Sequence, residues 1–346
     1  MPNAGPWPCD IVAAAVAPER QGTMAPDAED FDQQINAFRS ELLAHCYRML
    51  GSVQDAEDLV QDTYLRAWRA RDKYDRERAS VRTWLYRIAT NVCLTALESR
   101  SRRPLPAGLV APSEDPSLPL VRGEVSWLQP LPDALLGADP GMAAMDRGSL
   151  RLAFVAAVQH LSARQRGALI LRDVLDFSAA ESAEILGMST PAVNSALQRA
   201  RGQLREAGAP EDQVAEPSEQ EVRVRIDRFV EAFERADVAA IKQLLTHDVV
   251  LEMPPMVNWF IGREHYGTFM DWVFSMCKDW RMVRTAANGQ PALAAYWRVE
   301  GGGYHLHTLQ VFTVTAAGIS RNTVFQDAEV FAAFGLPEEL TGSPSQ

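Results

Sequence analysis

The chain reads as a multidomain protein: two all-α blocks, the second with a helix-turn-helix, followed by an α+β block. Three observations predict this. Apolar residues recur at helical spacing over 31–103 and again over 148–207. Between them, 104–147 holds eight prolines and six acids against two arginines, with poor periodicity, which is linker composition. Beyond 217, two helical patterns give way to short β-rich runs with glycine turns. A length of 346 residues accommodates two or three domains, and 47% apolar content is enough for packed cores.

The elements follow in order. Residues 1–30, with scattered Pro, Gly and acids, read as a disordered extension, and Met24 is a candidate start. Phe38, Leu42, Leu43, Cys46, Tyr47 and Leu50 form an apolar stripe ending at Gly51, a C-cap signal. Next comes DAEDLVQDTYLRAW, residues 55–68. Asp55, Glu57, Asp58 and Asp62 are its carboxylates, and Ala56, Leu59, Val60, Thr63, Ala67 and Trp68 recur at helical spacing. A charged loop from Arg71 to Arg76 breaks this helix. A third pattern, 80–100, buries Trp84, Leu85, Ile88, Val92 and Leu97. In the linker, Trp127-Leu128-Gln129-Pro130-Leu131 is an apolar island that is expected to dock.

In the second block, Ser178 and Glu181 make a capping box, Gly187 stops that helix, and Ser189 caps another with Pro191 in its first turn. Two short capped helices around a glycine turn make a helix-turn-helix. In the third block, helices are expected over 222–236 and 238–245, and one around 266–276. Strands are expected over 249–253, 292–299, 305–315 and 319–326, as an antiparallel sheet.

Charge separates function classes. The net charge of −11 excludes a DNA binder that uses its whole surface, but the sign is local. Residues 31–103 carry 13 basic and 10 acidic groups, whereas 216–346 carry 11 and 17. From Tyr64 to Arg103 there are eleven Lys/Arg against four Asp/Glu. Trp84, Tyr86, Arg87 and Asn91 lie within two turns there. Aromatics near arginines stack on unpaired bases while the cations hold the backbone. In the helix-turn-helix, no acid occurs from Met188 to Arg205. Ser189, Thr190, Asn194, Ser195 and Gln198 are suited to base edges, and Arg199, Arg201 and Arg205 to phosphates. Four cysteines without a CxxC pair fit a reduced, cytoplasmic chain, and no apolar run is long enough for a membrane span.

Taken together, DAEDLVQDTYLRAW, RTWLYRIATNVCLTALESRSRR and LSARQRGALILRDVLDFSAAESAEILGMSTPAVNSALQRARGQL resemble an extracytoplasmic-function sigma factor of the sigma-70 family. The resemblance covers both helical blocks in order. It implies a transcription initiation factor that binds core RNA polymerase and directs it to promoters. Region 2 would be 31–103 and region 4 148–207. Asp55, Asp58, Leu59, Val60, Gln61 and Asp62 would dock on the coiled coil of the largest polymerase subunit. Arg82, Trp84, Arg87, Asn91, Arg100, Arg102 and Arg103 would serve the −10 element, and 179–198 would read the −35 element. Two positions depart from the pattern. Val193-Asn194-Ser195-Ala196-Leu197 stands where Val-Lys-Ser-Arg-Leu is frequent, which weakens phosphate contacts. Ser182 stands where an apolar residue is usual.

The third block, 217–340, resembles the SnoaL-like branch of the NTF2-like cone fold, and the whole chain the sigma-G/sigma-J type. The Trp127–Leu131 island resembles a Trp-Leu-Pro-Glu-Pro-Leu linker element of such proteins. Relatives of this fold include cyclases and isomerases. Trp259, Tyr296, His305 and His307 are candidate pocket residues here, and Asp327 a further acid/base candidate. His305 and His307, two apart on a strand, share a face but lack a third metal ligand. The expectation is therefore no enzyme, no metal and no cofactor. A regulatory domain would fold onto the helical blocks, with a small apolar ligand as its candidate effector.

Overall fold

The computed structural model describes residues 31, 33–75, 77–99, 102–137, 147–206, 217–299 and 302–340. The expectations for residues 1–30, including Met24, and for Arg100 lie outside these. Helix α1 (Arg39–Leu50) buries Leu42, Leu43, Cys46, Tyr47 and Leu50 and ends at Gly51, whose φ of 70° is the left-handed C-cap the sequence signals. Ser52 at once caps α2 (Val53–Ala70) by accepting from Asp55 N, so the two helices join without a loop. Ser80 caps α3 (Val81–Glu98) in the same way through Thr83 N.

The second helical group begins with α4 (Leu152–Val158) and α5 (Ala163–Leu169), the latter opened by a Ser162/Gln165 capping box. One π-turn, Ile170–Val174, leads to α6 (Ala179–Leu186) and α7 (Thr190–Glu206). The expected capping box of Ser178 and Glu181 is present, and Gly187 sits at φ 60° between the helices.

In the third group, α8 (Glu219–Glu234) and α9 (Val238–Leu244) precede a seven-stranded sheet. Its strands are β1 (Leu245–Glu252), β2 (Trp259–Ile261), β3 (Trp280–Ala287), β4 (Gln290–Arg298), β5 (Tyr304–Thr315), β6 (Gly318–Phe325) and β7 (Glu339–Leu340). Helix α10 (Arg263–Met276) lies between β2 and β3, and α11 (Ala328–Ala333) follows β6. The path is β2-β1-β6-β5-β4-β3, with β7 on β5. The expected all-antiparallel sheet is corrected at one pair: β1 runs parallel to β6, since the chain returns to β1 only after crossing the sheet. Strands β2, β3 and β7 and helix α11 were not expected.

The described part of the Pro-rich segment is a strap. Its backbone bonds the edge around β2: Ser113 N donates to Trp259 O at 2.8 Å, Val257 N to Val121 O at 2.8 Å, and Gly123 N to Pro255 O at 2.9 Å. The island docks as expected, with Leu128 and Leu131 fully buried. A Cβ on Gly51 would meet Leu128 Cδ1 at 2.7 Å, and its φ of 70° favours glycine, so the strap seats closely over the end of α1. One apolar cluster runs from α1–α3 through the strap and α4–α7 to Leu309, Val311 and Phe325 on the sheet. A second, around Phe229, Phe233, Phe260, Phe274, Trp280 and Phe312, fills the space between sheet and helices.

Candidate nucleic-acid and partner interfaces

Helix α2 turns its buried face inward through Val53, Ala56, Val60, Thr63 and Ala67. Gln54, Asp58, Gln61, Leu65 and Arg69 are exposed at spacings of three and four, which makes one solvent stripe. Asp58 makes no ion pair among the described residues, while Asp62 pairs with Arg66 at 2.9 Å. The expectation for Val60 is corrected: at 2% exposure it is a core residue and presents nothing to a partner. Leu59 is half-buried, and Asp55 is bonded to Arg103 at 2.9 Å. Leu65, which falls outside the apolar face read for this helix, is 56% exposed in the middle of the stripe.

On α3 the stacking role read for Tyr86 is also corrected. The ring is fully buried and its Oη donates to Glu41 Oε2 at 3.1 Å. Arg82 Nε bonds the same carboxylate at 2.9 Å, and its guanidinium lies 4.9 Å from the ring centres of both Tyr86 and Phe177. Trp84 is half-buried against Tyr74 and Phe31, at 4.8 and 6.2 Å between ring centres. Arg87 Nη1 reaches Glu184 on α6 at 2.9 Å, and Asn91 Nδ2 donates to Arg87 O at 2.8 Å. Arg103 also donates to Trp127 O at 3.3 Å, and Arg102 is exposed. The basic helix thus packs against the helix-turn-helix.

Helix α7 buries Val193, Ala196, Leu197 and Ala200. Ser189, Thr190, Asn194, Ser195, Gln198, Arg199 and Arg201 are all exposed. Arg201 grips Asp173 through two bonds of 2.6 and 2.8 Å, which leaves Arg199 and Arg205 as the cations without an ion pair on that face among the described residues. Ser182 is fully buried and its Oγ lacks a partner among the described residues, in keeping with its unusual place in an apolar position.

The four pocket candidates do not converge. Trp259 is covered by the strap and donates its indole N–H to Val110 O at 2.9 Å. Tyr296 and Trp297 are consecutive on β4 and face opposite ways. His307 stacks on Trp297 at 4.1 Å, away from Tyr296, and burial pushes its pKa down to about 4. His305 pairs with Glu339 on β7 at 2.9 Å, and Asp327 caps α11.

Asn288-Gly289 was missed. Asn-Gly is a strong two-residue hairpin signal, and here it joins β3 to β4 with φ of 59° and 66°. The Asn288 side chain is fully buried. Its Nδ2 donates to Tyr47 Oη at 2.9 Å and to Leu150 O at 2.7 Å, and its Oδ1 accepts from Leu131 N at 2.8 Å. The signal was readable, but its first flanking strand was not recognised.

Family models match three segments: Sigma-70 region 2 over 34–103, Sigma-70 region 4 over 151–204, and a SnoaL-like domain over 226–322. The ECF RNA polymerase sigma factor SigG of Mycobacterium tuberculosis is 46% identical over 341 residues, covering 95% of this chain and 90% of that protein. The sigma factor SigJ of the same organism is 30% identical over 218 residues, 62% of each chain. The crystal structure of Mycobacterium tuberculosis SigJ superposes with a TM-score of 0.61 at 22% identity, over 88% of this chain and all of that one.

Proposed function

The chain belongs to the extracytoplasmic-function RNA polymerase sigma factors, a family of transcription initiation factors, and we propose how its surfaces divide that work. The exposed stripe of α2, with Asp58, Gln61 and Leu65, and the ion-paired Asp62 beside it, docks on the coiled coil of the largest subunit of core polymerase. Helix α3 and its flanks, through Trp84, Arg87, Asn91, Arg100 and Arg102, serve the −10 element. The outer face of α7, through Asn194, Ser195, Gln198 and Arg199, reads the −35 element. The observation that carries this reading is the acid-free, fully exposed outer face of α7 on the same chain as the unpaired Asp58 stripe. With no Lys or Arg at 194 and 196, base-edge contacts from Asn194 and Gln198 dominate over phosphate contacts.

The C-terminal domain acts by regulation and not by catalysis. Tyr296 and His307 lie on opposite faces of the sheet, and His307 is held in a stack. His305 is tied to Glu339, and Asp327 is spent on the cap of α11. Run-off transcription with purified chain and core polymerase tests the assignment. Initiation at a promoter carrying the matched elements is expected. Loss of −35 selectivity in Asn194→Ala/Gln198→Ala with core binding intact is also expected; unchanged selectivity sinks the α7 assignment.

A further inference from the structure

We propose that the surface for core polymerase is shared between two domains: a cleft between α2 and α11 takes a long basic side chain, Lys or Arg, from the same polymerase element that the α2 stripe holds. The inference rests on the assignment of that stripe to polymerase docking. The cleft has a volume of about 270 Å³. Val53, Pro130 and Val330 form its floor, and Gln54, Glu57 and Glu329 stand around it. Gln54 belongs to both surfaces. It is the first residue of the exposed stripe that continues through Asp58, Gln61 and Leu65, so a partner lying along the stripe reaches the cleft at its N-terminal end.

The far wall is built by one short helix of the C-terminal domain. Asp327 caps α11 by accepting from Glu329 N at 2.8 Å. Val330 is buried, and Phe331 and Phe334 pack half-buried on the apolar cluster that also holds Val53 and Leu128. That seating leaves Glu329 and Ala332, three residues apart, on the exposed face of the helix. Gln129 of the strap spans the base of the cleft. Its Oε1 accepts from Val53 N at 3.1 Å, and its Nε2 donates to Glu329 Oε2 at 3.4 Å. The strap thus spaces the two walls, and the small side chain of Ala332 leaves the gap open.

The lining selects the occupant. An apolar floor suits the alkyl stem of Lys or Arg, and carboxylates at the rim suit its charged head. Glu57 lies 3.5 Å from Arg39, which offsets part of its charge. Glu329 makes no ion pair among the described residues, and neither does Asp58 on the stripe. Two such carboxylates on one continuous surface attract a cation and repel phosphate, so the occupant is protein and not promoter DNA.

The test uses the full-length chain and purified core polymerase. A benzophenone amino acid placed at Ala332, and separately at Gln61 on the stripe, should crosslink to the largest subunit from both positions. Glu329→Lys should lower core affinity about fivefold, the scale of one exposed ion pair, and Glu329→Gln should lower it less. Affinity of the wild-type chain should also fall more steeply with salt than that of Glu329→Gln. Both variants should melt as the wild type does, which separates lost contact from lost folding. A crosslink from Gln61 alone, with Glu329→Lys binding core as tightly as the wild type, overturns the shared surface and leaves the α2 assignment standing. No crosslink from either position removes both.

Discussion

Asp58 and Val60 stand two residues apart on one helix and have opposite fates. Asp58 is exposed without an ion pair among the described residues, and Val60 is sealed under α1 and α3. Charge reversal at Asp58 with Gln61→Ala should lower core-polymerase affinity at least tenfold while shifting stability by under roughly 0.5 kcal/mol, as exposed substitutions do. Val60→Ala should do the reverse, losing about 2 kcal/mol of stability with little direct effect on docking. Titration against core polymerase and chemical denaturation separate the two, and equal affinity for wild type and the Asp58 variant removes the docking assignment. Two histidines carry a pH prediction at the same scale. His45 is held neutral by burial, then by Arg48 and Arg82, with its pKa lowered to about 3, and burial alone lowers His307 to about 4. Unfolded, both protonate near 6.5. The unfolded chain therefore binds more protons as pH falls through this window. Stability present above pH 6.5 is lost progressively toward pH 4 for His307 and toward pH 3 for His45. The melting temperature should drop between pH 7 and 5, and His307→Gln should shrink that drop. An identical drop in the variant would remove His307 from the account.

At the scale of elements, the helix-turn-helix depends on local caps. Ser178→Ala removes one half of a capping box and should cost about 1 kcal/mol. It should also loosen −35 binding, because α6 seats α7. Denaturation midpoints and duplex affinity report the two effects, and a change below a few tenths of a kcal/mol would make the cap irrelevant. The same locality explains why this motif was readable from the chain alone: Ser178, Glu181, Gly187 and Ser189 act within three residues of their targets. Strand β3 was not readable. Trp280 to Ala287 buries its residues in the order buried, half, buried, exposed, exposed, half, exposed, buried, because it must meet α8 at one end and the strap at the other. The parallel β1–β6 pairing joins segments about 70 residues apart and has no local sign. The strap carries the composition of a free linker, yet its backbone is spent on the edge around β2, which composition does not reveal. Caps and turns that close within one element were therefore legible, and the Asn288 junction, made by three, was not.

For the whole molecule, the apolar cluster that joins the helical groups to the sheet sets what removal of the C-terminal domain does. Truncation after residue 216 uncovers Leu128, Leu131 and Tyr47, all fully buried in the intact chain, and takes Asn288 from Tyr47 Oη. Exposing contiguous apolar surface of this kind favours self-association. The same cut removes the Asn288 bonds that join α1, the strap and the start of α4. One interface thus predicts two changes of opposite value: a lower melting temperature with concentration-dependent association, and stronger binding of the free protein to a −35 duplex. Light scattering and duplex titration measure both on one sample. A truncated chain that is less stable but no better at binding DNA would make the C-terminal domain a clamp for folding alone. One that binds DNA better without losing stability would place the brake elsewhere than this interface. Only the joint change ties regulation to the packing that holds the molecule together.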